Sequence, residues 1–288
     1  MLWLLNPYPD SQTMTPISKS ILLPLVVLGS LWTSSCVRDE AEMKPVAEVK
    51  SATNQKPETG LKPGVPTAHT TRMIEGWTVR VDDRLLQGEH AATGERALKV
   101  LNAKLVDMTT VIPEKALVGL RKINIELDLD YADLTSMQYH PGAGWLKNSG
   151  YSVSVAKCVH IPNAEDFLSP YENHRMPWVV LHELSHGYHD QILGFDEPRV
   201  KAAWIKFRDS GKYKNILTNR WGMAEHYGMT NQMEFFAEMT ESYFGSNDFY
   251  PFVPGELQQA EPEIFALMGE IWGPLPQSKP RKAKEAKK

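Results

Sequence analysis

The stretch MPWVVLHELSHGYHDQILG, residues 176–194, decides how this chain folds. It holds His182, Glu183 and His186 in the order His-Glu-x-x-His. On an α-helix, residues four apart lie one above the other, so both imidazoles can reach one metal ion. Glu183 sits beside that face and can reach a water on the same ion as a general base. Pro177 suits a helix start, where its missing N–H costs nothing, and Gly194 suits a stop. Trp178, Val179, Val180 and Leu181 are continuously apolar, with Leu184, Ile192 and Leu193 beyond them. Such a helix enters a core, where two histidines and a glutamate are costly unless paired. A metal is the simplest partner. The plainer reading is a surface helix with exposed His and Glu.

A catalytic zinc usually takes three protein ligands and keeps one position open. The spacing His-Glu-x-x-His-x-x-Gly-x-x-His, which would supply the third from the same segment, requires glycine at 189 and histidine at 192. The chain has His189 and Ile192, so that class is excluded. His189 lies a turn too far along to join and reads as a supporting or surface residue.

The better candidate lies in YGMTNQMEFFAEMTESYF, residues 227–244. A helix is expected to begin near Thr230 or Asn231, with Glu234, Glu238 and Glu241 at i, i+4 and i+7 on one face. Three acids beside so apolar a run need a reason. If Glu234 binds the metal, Glu238 lies one turn on and can accept a hydrogen bond from the other nitrogen of a ligand histidine. Asn231 followed by Glu234 is also a capping-box signature, in which Glu234 merely ties down the helix start. The pairing with His182 and His186 favours the ligand reading, because a His₂Glu zinc needs such a glutamate.

A His-Glu-x-x-His helix followed by Tyr-Gly-x-Thr-Asn-x-x-Glu-Phe-Phe-Ala-Glu resembles the gluzincin metallopeptidases of the anthrax lethal factor type. The matching residues are His182, Glu183, His186, Tyr227, Gly228, Thr230, Asn231, Glu234, Phe235, Phe236, Ala237 and Glu238. The resemblance implies His182, His186 and Glu234 as Zn²⁺ ligands, Glu183 as base and Tyr227 as oxyanion donor. His226 is a rival for the oxyanion role, and the plainer reading of Tyr227 is a core tyrosine. The match covers two helices and a short lead-in, so substrate preference does not carry over.

Upstream, residues 21–32, ILLPLVVLGSLW, are too short for a spanning helix of about 20 apolar residues. With Lys19 before them they fit the apolar part of a secretory signal, and translation from Met14 would give it a better start. Small residues before Cys36 resemble a bacterial lipoprotein cleavage site, although Thr33 stands where leucine is usual. Residues 1–36 are therefore expected to be a signal peptide, with Cys36 lipidated and Cys158 left as an unpaired, buried thiol. The alternative is ordinary signal cleavage near Ser35 with Cys36 incidental, and either route would place the protein outside the cytoplasm. Residues 37–70 are rich in Lys, Glu, Pro, Ala and Thr and are expected to form a disordered spacer.

A folded domain is expected over residues 71–275. Trp77, Val79 and Val81 alternate with polar residues as a strand does. Thr93 suits a helix cap, and Leu98, Leu101, Leu105 and Met108 follow as a core-facing stripe ended by Pro113. Ile123, Ile125, Leu127 and Leu129 predict a half-buried strand. Residues 131–171 are loop-rich, with short strands expected near 137–140 and 154–161. Residues 155–161, just upstream of the His-Glu-x-x-His helix, are the candidate edge for pairing with an extended substrate. His140 and His160 read as hydrogen-bonded structural residues. Asp196 can cap a helix carrying Val200, Trp204 and Phe207. Residues 247–254, NDFYPFVP, predict a structured loop, and Ile264, Leu267 and Ile271 a closing helix.

The expected architecture is α+β and zincin-like, a small mixed sheet on the active helix followed by a mainly helical second half. The formal net charge of −4 argues against nucleic acid as a partner. Six basic residues within 279–288 make residues 276–288 a solvated tail. Function is expected to be peptide-bond hydrolysis by a zinc-activated water, in a secreted or lipid-anchored monomer acting on protein or peptide. Membrane contact is expected only through Cys36. Competing classes are a zinc hydrolase of cell-wall amides and a non-catalytic binding lipoprotein with a structural zinc.

Overall fold

The computed structural model describes residues 60–220 and 222–276. The signal segment, Cys36, most of the spacer and the tail beyond Pro276 lie outside the described residues. Strands β1 (His69–Ile74) and β2 (Trp77–Asp82) form an antiparallel hairpin. Trp77, Val79 and Val81 are buried as their alternation requires. The domain begins earlier than residue 71. Lys62 N donates to Gly150 O at 2.7 Å, Ala132 N donates to Gly64 O at 3.1 Å, and β1 opens at His69. Backbone pairing orders this stretch despite its polar composition.

Helix α1 (Ala91–Val111) follows, its start preceded by His90 rather than capped by Thr93. Leu101, Leu105 and Met108 form its buried stripe, and Leu98 packs against the core from its margin. Pro113 does separate it from the next element, a short α2 (Glu114–Leu120) not foreseen in the sequence. Strand β3 (Ile125–Leu127) runs parallel to β2. It is buried on both faces: Glu126 and Asp128 are as inaccessible as their apolar neighbours.

Next come β4 (Gln138–Tyr139), α3 (Ala143–Asn148), β5 (Val159–Ile161), α4 (Ala164–Phe167) and α5 (Pro170–Arg175). The sheet order is β1-β2-β3-β5-β4. This corrects the expected edge. The chain makes β4 first, then returns to insert β5 parallel to β3, so β4 is left outermost. Residues 153–155 form a 3₁₀ turn and not strand.

Helix α6 (Val179–Tyr188) carries the His-Glu-x-x-His motif, starting two residues after Pro177. Val180, Leu181 and Leu184 enter the core that also holds Val79, Ile125 and Val159. Gly187 is required by close approach, since a Cβ there would lie 2.8 Å from the Ile123 side chain. The helix widens into a π turn over His189–Leu193, and Gly194 ends it at φ 84°.

Helix α7 (Pro198–Asp209) is capped by Glu197, whose side chain accepts from Arg199 N, and not by Asp196. A hairpin of β6 (Ile216–Thr218) and β7 (Gly222–Ala224) leads to α8 (Gln232–Phe244), which is buried along nearly its whole length. Residues 247–249 are buried in a structured loop, with Arg220 Nη2 on Asp248 Oδ2 at 2.5 Å. Helices α9 (Pro254–Ala260) and α10 (Pro262–Trp272) close the domain. The architecture is α+β, with a small mixed sheet on one side of α6 and α8 packed most extensively against the helix. Among the described residues no helix is long and apolar enough to cross a membrane.

Candidate metal centre

Helices α6 and α8 cross so that the motif histidines of one meet the acidic face of the other. Glu234 Oε2 stands 3.2 Å from His182 Nε2 and 3.2 Å from His186 Nε2. Donors on a tetrahedral zinc, each about 2.0–2.1 Å from the ion, lie roughly 3.3 Å apart. Both distances from Glu234 therefore match a shared ion, the three donor atoms lie within 4.8 Å of one another, and all three side chains are buried.

The two readings of Glu234 separate cleanly. Asn231 caps α8 by itself, its Oδ1 accepting from Met233 N at 2.8 Å and Glu234 N at 2.9 Å. The Glu234 carboxylate does not reach back to the helix start; it is turned to the imidazoles.

Glu238 does not take the expected hydrogen bond. His182 Nδ1 meets Glu241 Oε1 at 2.7 Å, whereas Glu238 Oε1 is 3.8 Å away. Helical side chains tilt toward the N-terminus, which carries the Glu241 carboxylate back over the preceding turn to the ring. Glu238 faces Asp248 and Glu241 instead. Burial first, and then those two charges, hold its carboxyl well above the usual range.

Burial opposes the charged form of His182, but hydrogen bonds to Glu234 and Glu241 outweigh it and raise its pKa. Burial also opposes the Glu234 carboxylate, and the charge of His186 with hydrogen bonds to both histidines overcomes it, so its pKa falls. A deprotonated carboxylate is the form that ligates.

Glu183 Oε2 accepts from Tyr139 N at 2.7 Å. That N–H belongs to the outermost strand, on the edge not used by β5. Burial is the chief cause raising the Glu183 carboxyl above its ordinary pKa, and His186 and His182 act against it. Tyr139 is itself fixed at its other end, its hydroxyl donating to Asp190 Oδ2 at 2.6 Å beside Lys157.

Tyr227 stands in a 3₁₀ turn just before α8, half-buried, its ring 6.5 Å from that of His182 at an interplanar angle of 28°. His226 Nδ1 lies 4.0 Å from Glu238 Oε2. The His226 ring is enclosed by Phe207, Tyr213 and Phe249, and its Nδ1 accepts from Gly228 N at 2.9 Å. Burial pushes its pKa down to about 3.

His189 is neither a surface residue nor a support to the ligands. It is fully buried against Phe195 and Phe236, and burial lowers its pKa to about 4. His160 Nε2 bonds Asp128 Oδ2 at 2.9 Å and His160 Nδ1 bonds His140 Nε2 at 3.0 Å, the hydrogen-bonded arrangement expected of both. Cys158 is a free buried thiol whose pKa burial pushes up to about 12.

The sequence reading assigned no role to Tyr139, Glu241 or a buried set around His69, Glu126 and Asp128. The i+7 position of Glu241 was a visible signal. The others depend on strand pairing across the sheet. No protein-family model, curated protein or solved structure matches this chain.

Proposed function

We propose that this protein is a zinc-dependent metallopeptidase of gluzincin type, with a zincin-like fold, that hydrolyses peptide bonds outside the cytoplasm. One observation carries the reading: a single Glu234 oxygen stands at tetrahedral-edge distance from both motif histidines, with Glu183 beside them. His182, His186 and Glu234 would hold the zinc. When bound, zinc supplies Lewis acidity toward a carbonyl oxygen and lowers the pKa of water toward neutrality.

The chain's own residues supply the rest. Glu183, buried and with a raised pKa, is suited to accept a proton from the attacking water and pass it to the departing amine. The Tyr139 N–H holds that carboxylate in place. Tyr227 offers a phenolic O–H to the oxygen that gains charge, a contribution typically of about 3–4 kcal/mol. Glu241 fixes the ring of His182 through Nδ1, leaving Nε2 to the metal.

The test is cleavage profiling of the purified full chain on a peptide library, with and without a chelator. Chelator-sensitive cleavage restored by Zn²⁺ supports the reading. Full activity in a zinc-free preparation overturns it.

A further inference from the structure

The sheet face turned away from α6 carries a second set of metal-competent side chains. Arg80, Glu126 and His160 stand in one row across β2, β3 and β5. His69 on β1, Asp82 at the end of β2 and Asp128 just past β3 share that face. Residues 131–156 cover it, with the Tyr131 ring edge-on to His160 at 4.4 Å and Ser154 O accepting from Arg80 at 3.3 Å. Nothing in the His182 centre uses these groups.

His69 Nε2 lies 2.7 Å from Asp128 Oδ1 and 3.2 Å from Glu126 Oε1. The three donor atoms lie within 4.8 Å of one another, as those of the His182 centre do. We infer that His69, Glu126 and Asp128 bind a divalent cation that ties the edge strand β1 to β3 across β2.

Three observations carry this. First, the hydrogen bonds do not close without it. A protonated Nε2 has one N–H, which goes to Asp128. Neither buried oxygen of Glu126 then accepts a hydrogen bond; Oε2 has only the charge of Arg80 at 2.9 Å. A buried carboxylate left so is costly, and a cation on neutral His69 serves all three donors together.

Second, both carboxylates are already oriented. Each sends one oxygen to the common point and has the other fixed, Glu126 by Arg80 and Asp128 by His160. His160 is steadied in turn by His140. Partners of this kind orient metal-binding carboxylates.

Third, the charges call for a cation. Asp82, Glu126, Asp128 and Asp130 share this face with Arg80, which bonds Glu126, and Arg84, which bonds Asp82 and Asp130, while the Asp128 carboxylate bonds His69 and His160 instead. Two negative charges are left over, which a divalent ion on neutral His69 neutralises. One imidazole and two carboxylates without thiolate suit Zn²⁺ or Mn²⁺. All three side chains are enclosed, His69 with 5% of its side-chain surface exposed.

The experiment loads metal-stripped full-length protein with Zn²⁺, dialyses it and counts bound metal. Wild type is expected to hold two equivalents, and His186→Ala/Glu234→Ala one. Glu126→Gln is expected to hold one and to keep the hydrolytic activity of wild type. Because Glu126→Gln alters a buried pair, His69→Ala on the edge strand is the second variant, again with one equivalent. Zn²⁺ or Mn²⁺ should raise the melting temperature of His186→Ala/Glu234→Ala, and adding His69→Ala should abolish that rise. No bound metal in His186→Ala/Glu234→Ala, with no thermal response to either ion, overturns the site and leaves a proton on His69. One equivalent in wild type that survives His186→Ala/Glu234→Ala but not Glu126→Gln supports this site and removes the His182 centre instead.

Discussion

Glu241 Oε1 accepts from His182 Nδ1 at 2.7 Å, while Glu238, nearer in sequence to Glu234, stands 3.8 Å from the same nitrogen. The two acids should therefore respond differently to the same change. A carboxylate behind a metal-ligating histidine typically contributes about 10–100-fold in metal affinity. Glu241→Gln is expected to weaken zinc binding by that factor in chelator competition. Glu238→Gln is expected to change it little, because a carboxyl whose pKa burial raises so far resembles the neutral amide. Equal losses in both variants would show that the geometry does not govern.

Among the described residues, Glu183 accepts a hydrogen bond from the Tyr139 backbone N–H and bonds no side chain. Glutamine offers an oxygen to the same N–H. Glu183→Gln should therefore keep both its position and the bound zinc while hydrolysis falls by about 10²–10⁴-fold. Zinc content and peptide turnover measured on one preparation check this. Retained turnover would remove Glu183 as the base.

Tyr227 and His226 are neighbours with opposite surroundings. Tyr227 is half-buried beside the His182 ring, whereas His226 is sealed among aromatic rings. Tyr227→Phe is expected to lower kcat by about 10²–10³-fold, the usual cost of one oxyanion donor, with KM and zinc content unchanged. A loss in KM alone would assign Tyr227 to substrate binding.

Much of the centre was legible because helical spacing is local. His182 with His186, and Glu234 with Glu238, follow from four-residue spacing on two helices, Glu183 follows from its place beside His182, and the capping alternative for Glu234 fell only because Asn231 caps alone. Sheet order is not local. The edge passed from residues 155–161 to β4 because the chain folds back inside its own earlier strand. For the same reason Glu126 and Asp128, which alternate like solvent-facing residues, are buried: a later segment covers that face, and no period in β3 announces it. Glu241 illustrates a third cause, since the tilt of helical side chains decides which of two acids on one face reaches a ring.

Gly94, inside α1, is set by contact with the turn before it. A Cβ there would lie 1.8 Å from the Leu85 carbonyl oxygen, a backbone atom that cannot move alone. Alanine gains about 1 kcal/mol in helix propensity. Overpacking against backbone costs about 1–3 kcal/mol and sometimes more. Gly94→Ala is expected to destabilise by about 2 kcal/mol net, read as a lower urea midpoint at constant m. A raised midpoint would mean that α1 shifts freely.

Three histidines are held neutral by burial: His140 and His226 with pKa values pushed down to about 3, and His189 to about 4. Between these values and the ordinary histidine range near 6.5 the unfolded chain binds more protons than the folded one. Stability must then be full above about pH 6.5 and fall as pH drops toward 4, each group contributing about 1.4 kcal/mol per pH unit. Carboxyls with raised pKa values, Glu238 and Glu241, act in the opposite sense as they take up protons. A single acid-unfolding curve mixes the two, so the difference between variants is the useful quantity. His226→Asn keeps an acceptor for Gly228 N and removes one titrating ring. Urea unfolding followed from pH 6.5 to 4 should lose stability less steeply in this variant, by up to about 1.4 kcal/mol per pH unit. Parallel curves would mean that His226 takes up its proton in the folded state, which its aromatic enclosure is built to prevent.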